Sequence, residues 1–209
     1  MSASPTLLLP LFPLPDTVLF PGMPLPLHIF ETRYRKMVED ALLGPKTIGM
    51  TLLKPGWEEN YEQRPPIYPV GCSGVIARHE RLEDGRYNVA LRGLSRFRVL
   101  REHEGEPYRL ASIDTLEDAP GQPDVLDSLR SRVLTTLARA ADGPKSLVLQ
   151  GELPHELLVN ALSQSLGLRP VEKQSLLDCD TLEARYERLL EILEFHILEE
   201  SAGGSTSVH

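Results

Sequence analysis

Arg92, Arg96 and Arg98, with Arg101 close behind, are the one basic concentration in the strand-like part of this chain. Side chains alternate along an extended segment, so Arg96 and Arg98 share a face opposite Phe97 and Val99. Such a pair can contact the carboxylate of an acidic peptide or the phosphate of a nucleic acid. It can equally stand in solvent and pair with Glu80, Glu83, Glu102 and Glu104 nearby in sequence. A second group is aromatic. The stretch from Pro55 to Pro69 holds the only tryptophan, Trp57, and two of the six tyrosines, Tyr61 and Tyr68. Connections this long in compact proteins tend to be functional, and aromatic side chains are the usual anchors of a protein-binding surface. Phe20 and Met23, on either side of Pro21-Gly22, would extend that apolar surface. The alternative is a loop pinned to the sheet by Trp57.

Other chemistries find less support. The histidines, at 28, 79, 103, 155, 196 and 209, show neither H-x-x-x-H nor H-E-x-x-H spacing, so helix-borne metal ligation has no signature. His28 is read as a packing or hydrogen-bonding residue. Cys72 and Cys179 are far apart and have no C-x-x-C partner, which argues against a disulfide framework or a zinc site. Gly44-Pro45-Lys46-Thr47 and Gly143-Pro144-Lys145-Ser146 superficially resemble the end of a phosphate loop, but proline replaces one of the N–H groups that would cradle phosphate. No G-x-S-x-G nucleophile elbow occurs. The expectation is therefore no cofactor and no metal.

The elements that must position these residues change class along the chain. Prolines at 5, 10, 13, 15, 21, 24 and 26 exclude a helix and point to short edge strands around the Pro21-Gly22 turn. A helix follows, with Tyr34, Met37, Val38, Ala41 and Leu42 on one face, and Glu31 at its start can meet the unpaired N–H groups there. Strands are read at 47–53 and 70–77, the latter with Gly71 and Gly74 as a bulge or close approach. Asp84-Gly85 supplies a tight turn. Two strands separated by Gly93 follow, and then a strand over 108–113. Residues 117–123 read as a linker, and everything beyond is helical, with apolar periodicity over 125–141, 157–166 and 182–197. Pro170 opens a short helix, and Asp180 with Glu183 resembles a capping box. The expected organisation is residues 1–118, residues 119–200 and a tail over 201–209, with the first two folding as one cooperative unit.

The order of parts carries a resemblance. A leucine/proline strand, Phe20-Pro21-Gly22 and Ile29-Phe30-Glu31 with Arg33-Tyr34 open the chain. Val70-Gly71-Cys72-Ser73-Gly74, the Asp84-Gly85-Arg86-Tyr87 turn and Leu91-Arg92-Gly93-Leu94-Ser95-Arg96-Phe97 follow, and then Pro170 to Leu177 and Leu182 to Tyr186. Together these are similar to the Lon protease N-terminal, substrate-binding domain family, over about residues 7–197. The resemblance implies an α+β fold: a PUA-like β pseudo-barrel with one early helix, then a C-terminal helical bundle. It also implies non-catalytic binding of unfolded or apolar polypeptide, in a free-standing bacterial member that acts as an adaptor, a holdase or a regulator of proteolysis, with protease components as further partners. The ATPase and serine–lysine protease modules of Lon do not fit within 209 residues, so no enzyme activity is expected.

Charge weighs against the runner-up reading, a PUA-like RNA or nucleotide binder. The formal net charge is -8, and residues 111–209 hold eight Lys and Arg against seventeen Asp and Glu. That half repels a phosphate backbone at long range. An unassigned hydrolase is the third reading. No apolar run reaches the roughly 20 residues of a membrane helix, and the N-terminus lacks a basic n-region. A cytoplasmic location without membrane contact is expected.

Overall fold

The computed structural model describes residues 7–61, 63–104, 107–119, 121–139 and 153–203. The sequence features read at 140–146 and 204–209, including Ala141, Gly143 to Ser146 and His209, lie outside them. Two compact units divide the chain, residues 1–117 and residues 118–209.

The first unit is a β-barrel with one α-helix among its described residues. Its strands are β1 (Leu7–Leu14), β2 (Pro24–Ile29), β3 (Thr47–Leu52), β4 (Val70–Arg81), β5 (Tyr87–His103) and β6 (Arg109–Leu116); α1 (Thr32–Leu43) lies between β2 and β3. The order is β2-β5-β4-β3-β1-β6, and β6 pairs again with β5. Five strands thus close on themselves, while β2 extends the sheet from the first half of β5. Closure removes the free edges that invite aggregation. Leu9, Leu11, Phe97, Ala111 and Ile113 form a buried cluster in the barrel.

Several expectations are corrected here. β1 is no edge strand, although it carries Pro10 and Pro13. It pairs with β6 over Leu7–Leu11 and with β3 over Leu11–Leu14. Each half has one paired side, so each proline can turn its missing N–H toward the side without a ladder. β2 is the edge strand, paired with β5 alone. Proline cannot donate, so Pro24 and Pro26 occupy the non-hydrogen-bonded positions of that ladder. The outer edge of β2 is thereby short of N–H donors and resists strand addition.

Gly93 does not end a strand; β5 runs unbroken through it. Its role is close approach: a Cβ there would lie 2.1 Å from the Phe20 carbonyl oxygen. The Gly93 N–H donates to the Met23 carbonyl, and the Gly22 N–H donates to the Gly93 carbonyl. This packing fixes the Pro21-Gly22 turn against β5. The register between β4 and β5 shifts between Cys72 and Gly74, where the bulge was expected. Gly85 supplies the positive φ, 82°, of the turn that follows β4.

Among its described residues the second unit has four helices: α2 (Pro123–Arg139), α3 (His155–Ser165), α4 (Pro170–Leu177) and α5 (Leu182–Gly203). Leu126, Leu129, Val133, Leu162, Leu176, Tyr186, Leu189 and Leu193 are buried among them. Arg185 is wholly buried with these leucines. It makes two hydrogen bonds to the Asp118 carboxylate, at 2.9 and 3.1 Å, and others to Asn160 Oδ1 and the Leu176 carbonyl. α5 is capped by Thr181, whose Oγ1 accepts the Ala184 N–H at 3.1 Å, and not by Asp180. Glu183 instead accepts the Gln122 N–H. The capping box belongs to α4, where Glu172 accepts the N–H of Arg169. No helix among the described residues is long and apolar enough to cross a membrane.

Candidate functional site

The stretch between β3 and β4 folds back along the barrel. Gly56 takes a left-handed φ of 86°, and Trp57–Asn60 form one 3-10 turn. Trp57 meets Tyr61 edge-on, with ring centres 5.5 Å apart, and both are half-buried. The return limb is tied to β3: the Lys54 N–H donates to the Pro66 carbonyl and the Tyr68 N–H to that of Leu52. Tyr68 is half-buried, with the Lys54 ammonium 5.7 Å from its ring centre.

Tyr61 is held by the start of α1. Its hydroxyl donates to Glu31 Oε1 at 2.5 Å, and Glu31 Oε2 accepts from Arg33 at 2.9–3.0 Å. Glu31 precedes α1 as expected, but its carboxylate makes no capping bond. The hydroxyl and the guanidinium of these neighbours engage it instead. The Arg33 guanidinium lies 4.7 Å from the Tyr34 ring centre and 5.0 Å from that of Tyr61. Stacking between two aromatic faces fixes its plane. Tyr34 in turn packs on Phe12 of β1, with ring centres 4.5 Å apart. Burial, against the opposing charge of Arg33, pushes the Tyr34 hydroxyl up to about 12. Burial and the bond to Glu31 also raise Tyr61. Both hydroxyls therefore stay protonated, as donors, at neutral pH.

Against Tyr61 is a cavity of about 240 Å³ lined also by Arg33, Tyr34, Arg64, Tyr108 and Arg109, with prolines filling the gaps. Tyr34, Pro13, Leu53, Tyr108 and Arg109 are buried and make its floor; Gln63, Arg64 and Pro107 are exposed at its mouth. Arg109, only 6% exposed, donates to the Pro65 carbonyl at 2.5 Å and to Glu102 at 3.4 Å. Burial lowers the Arg109 pKa; Glu102 opposes this, while Arg64 and Arg33 push the same way as burial. Arg64 donates to the His103 carbonyl at 2.9 Å. Three cations thus converge on one hollow.

The residues singled out from sequence fare unevenly. Tyr61 lines the cavity and Trp57 packs against it, while Tyr68 sits on the same connection. Met23 is half-buried on the turn held to Gly93, and Phe20 is wholly buried. Phe20 therefore serves as core and not as a surface anchor. Among the arginines of β5, Arg92 and Arg98 are exposed, but Arg96 is only 2% exposed, at a point where both β4 and β6 flank the strand. Arg96 is thus closed to an external acidic ligand. His28 is exposed and bonds Asn88 and Arg86 through its two ring nitrogens. Arg33, Arg64 and Arg109 were not foreseen as a group. Arg33 belongs to the Glu31–Tyr34 motif, but the other two are separated by 45 positions in sequence and meet only through barrel closure. Among the described residues no three His, Cys, Asp or Glu side chains gather as a metal site.

Comparison with known proteins agrees with this architecture. The Lon protease of Dictyoglomus thermophilum is 32% identical over 91% of this chain, and that of Flavobacterium johnsoniae is 30% identical over 91%. The chain spans about a quarter of the length of these relatives. Among solved structures, a Lon N-terminal domain protein from Xanthomonas campestris is 28% identical, with a TM-score of 0.66, covering 88% of this chain and 98% of that one. The N-terminal domain of a Mycobacterium avium complex Lon protease shares the fold at 17% identity, with a TM-score of 0.70 over 90% of this chain and 99% of that one. The family described as the ATP-dependent protease La (LON) substrate-binding domain matches residues 8–194, and this chain belongs to it.

Proposed function

We propose that this chain binds polypeptide without chemistry of its own, seating an unfolded, apolar segment against the Trp57–Tyr61 pair. The observation that carries the reading is this pair: two half-buried aromatic rings packed edge-on, of which Tyr61 lines a cavity and is held by Glu31 and Arg33. A large side chain held in place loses little entropy on binding, which is what an anchor requires. The donor-poor outer edge of β2 favours recognition through side-chain contacts over the addition of a peptide strand there. Because the relatives are Lon proteases, the bound segments are proposed to be those destined for ATP-dependent proteolysis. An adaptor, a holdase and a regulator of proteolysis would share this binding step.

A labelled, permanently unfolded protein titrated with the purified chain tests the proposal. Saturable binding is expected, and the double substitution Trp57→Ala, Tyr61→Ala should weaken it by at least about tenfold, since a buried aromatic anchor contributes ~2 kcal/mol or more. Equal thermal stability of the two proteins, checked in parallel, separates binding from folding. Failure of the wild-type chain to bind any unfolded protein would contradict the reading.

A further inference from the structure

We propose that the arginine-lined cavity beside Trp57 and Tyr61 is a carboxylate subsite, which takes a chain-terminal carboxylate or an Asp or Glu side chain of the bound polypeptide. The inference rests on the polypeptide-binding reading and adds to it the chemistry of one recognised group.

Three arginines reach the cavity from separate places: Arg33 from α1, Arg64 from the connection before β4 and Arg109 from the start of β6. Guanidinium presents planar, paired N–H donors that match the two oxygens of a carboxylate. Two carboxylates, Glu31 and Glu102, already face these cations. One positive charge therefore remains in excess among these five described groups. Glu31 is committed to Arg33 and Tyr61, and Glu102 stands 3.4 Å from Arg109, beyond a normal charge-assisted bond. The mutual repulsion of the arginines, felt by Arg109, would be relieved by an incoming anion. The hydroxyls of Tyr61 and Tyr108 already donate to Glu31 and Asp40, so on the wall the protonated Tyr34 hydroxyl is the one that can add a donor.

Size narrows the ligand. Drug-sized ligands occupy pockets of roughly 300–1,000 Å³. A hollow of about 240 Å³ is smaller than these and takes a charged head with a few carbons. The exposed mouth at Gln63, Arg64 and Pro107 lets such a group enter while the rest of the segment lies across Trp57 and Tyr61. Charge narrows it further. The chain as a whole carries -8, so a polyanion is repelled at long range while a single carboxylate meets mainly the local field.

The test uses three fluorescent peptides of about ten residues, alike in apolar sequence. One ends in a free carboxylate and has no acidic side chain; one is amidated and carries a single Glu; one is amidated and has no acid. Anisotropy titrations should show both acid-bearing peptides binding about tenfold more tightly than the neutral one, the gain of one or two charge-assisted bonds. Arg64→Gln, at an exposed position that leaves the floor of the cavity intact, should cut that ratio to about threefold or less. Arg64→Lys should fall between, and Arg92→Gln, outside the cavity, should leave the ratio unchanged. If the neutral peptide binds as tightly as the others, the subsite is refuted and polypeptide binding stands. If no peptide binds, both proposals fall. If a short RNA displaces the peptides and loses affinity through Arg64→Gln, the cavity reads phosphate and the carboxylate assignment is overturned.

Discussion

Both units of this chain bury arginine, and Arg185 of the helical unit and Arg109 of the barrel are treated in opposite ways. In the helical unit, Arg185 is 0% exposed and donates to Asp118, Asn160 and the Leu176 carbonyl. Its charge is matched by a carboxylate gripping it through both oxygens. In the barrel, Arg109 is 6% exposed, meets a carbonyl and a distant carboxylate, and lines a hollow with two other cations. The first arrangement satisfies a charge in order to hold helices together. The second leaves positive potential facing a space. A buried charge is thus a weak sign of function by itself; whether its surroundings complete it separates a structural residue from a binding one.

The largest effect should come from breaking the completed site. Asp118→Ala leaves Arg185 buried without its counter-charge and should destabilise the helical unit by about 3–5 kcal/mol, measured by urea unfolding. A loss below about 1 kcal/mol would mean that Arg185 is satisfied otherwise, and the contrast would fail.

A smaller effect follows from the ion cluster of α4. Burial alone would raise the Glu172 pKa, but the side chain and N–H of Arg169, together with His196, hold it at about 2 against an ordinary 4.5. A carboxyl depressed on folding stabilises fully above its unfolded pKa and loses that contribution as pH falls through the folded one. The helical unit should therefore lose on the order of 2 kcal/mol between about pH 4.5 and pH 2, and Glu172→Gln should flatten this decline. Helical circular dichroism during acid titration reads it. An unchanged slope in the variant would assign the acid sensitivity elsewhere.

The smallest effect belongs to the incomplete site. Glu102→Ala removes a partner 3.4 Å from Arg109 and should cost no more than about 1 kcal/mol in stability, seen in the unfolding of the barrel. A cost as large as that at Asp118 would show that the two arginines are structural alike.

Sequence patterns conveyed the architecture because its signals are local. The face of α1 is read from the spacing of Tyr34, Met37, Val38 and Ala41, all buried, and the turn at Asp84-Gly85 from its glycine. Patterns misled where tertiary contact decides. Prolines look like edge residues, yet β1 is central because its two ladders occupy different halves. Gly93 looks like a break, yet it serves the approach of Phe20. The same approach buries Phe20, which its place beside a Pro-Gly turn had suggested was open. Of the candidate site, Trp57 and Tyr61 were legible from composition and loop length. Arg64 and Arg109 were not, since no spacing rule links residues that only barrel closure brings together.

Trp57 is the sole tryptophan, so its fluorescence reports on the proposed surface without a label. Titrating the chain with an unfolded polypeptide that itself lacks tryptophan should shift the Trp57 emission saturably, with the same midpoint as binding followed on the labelled polypeptide. Binding that saturates while the Trp57 emission stays unchanged would place the polypeptide elsewhere and contradict the account.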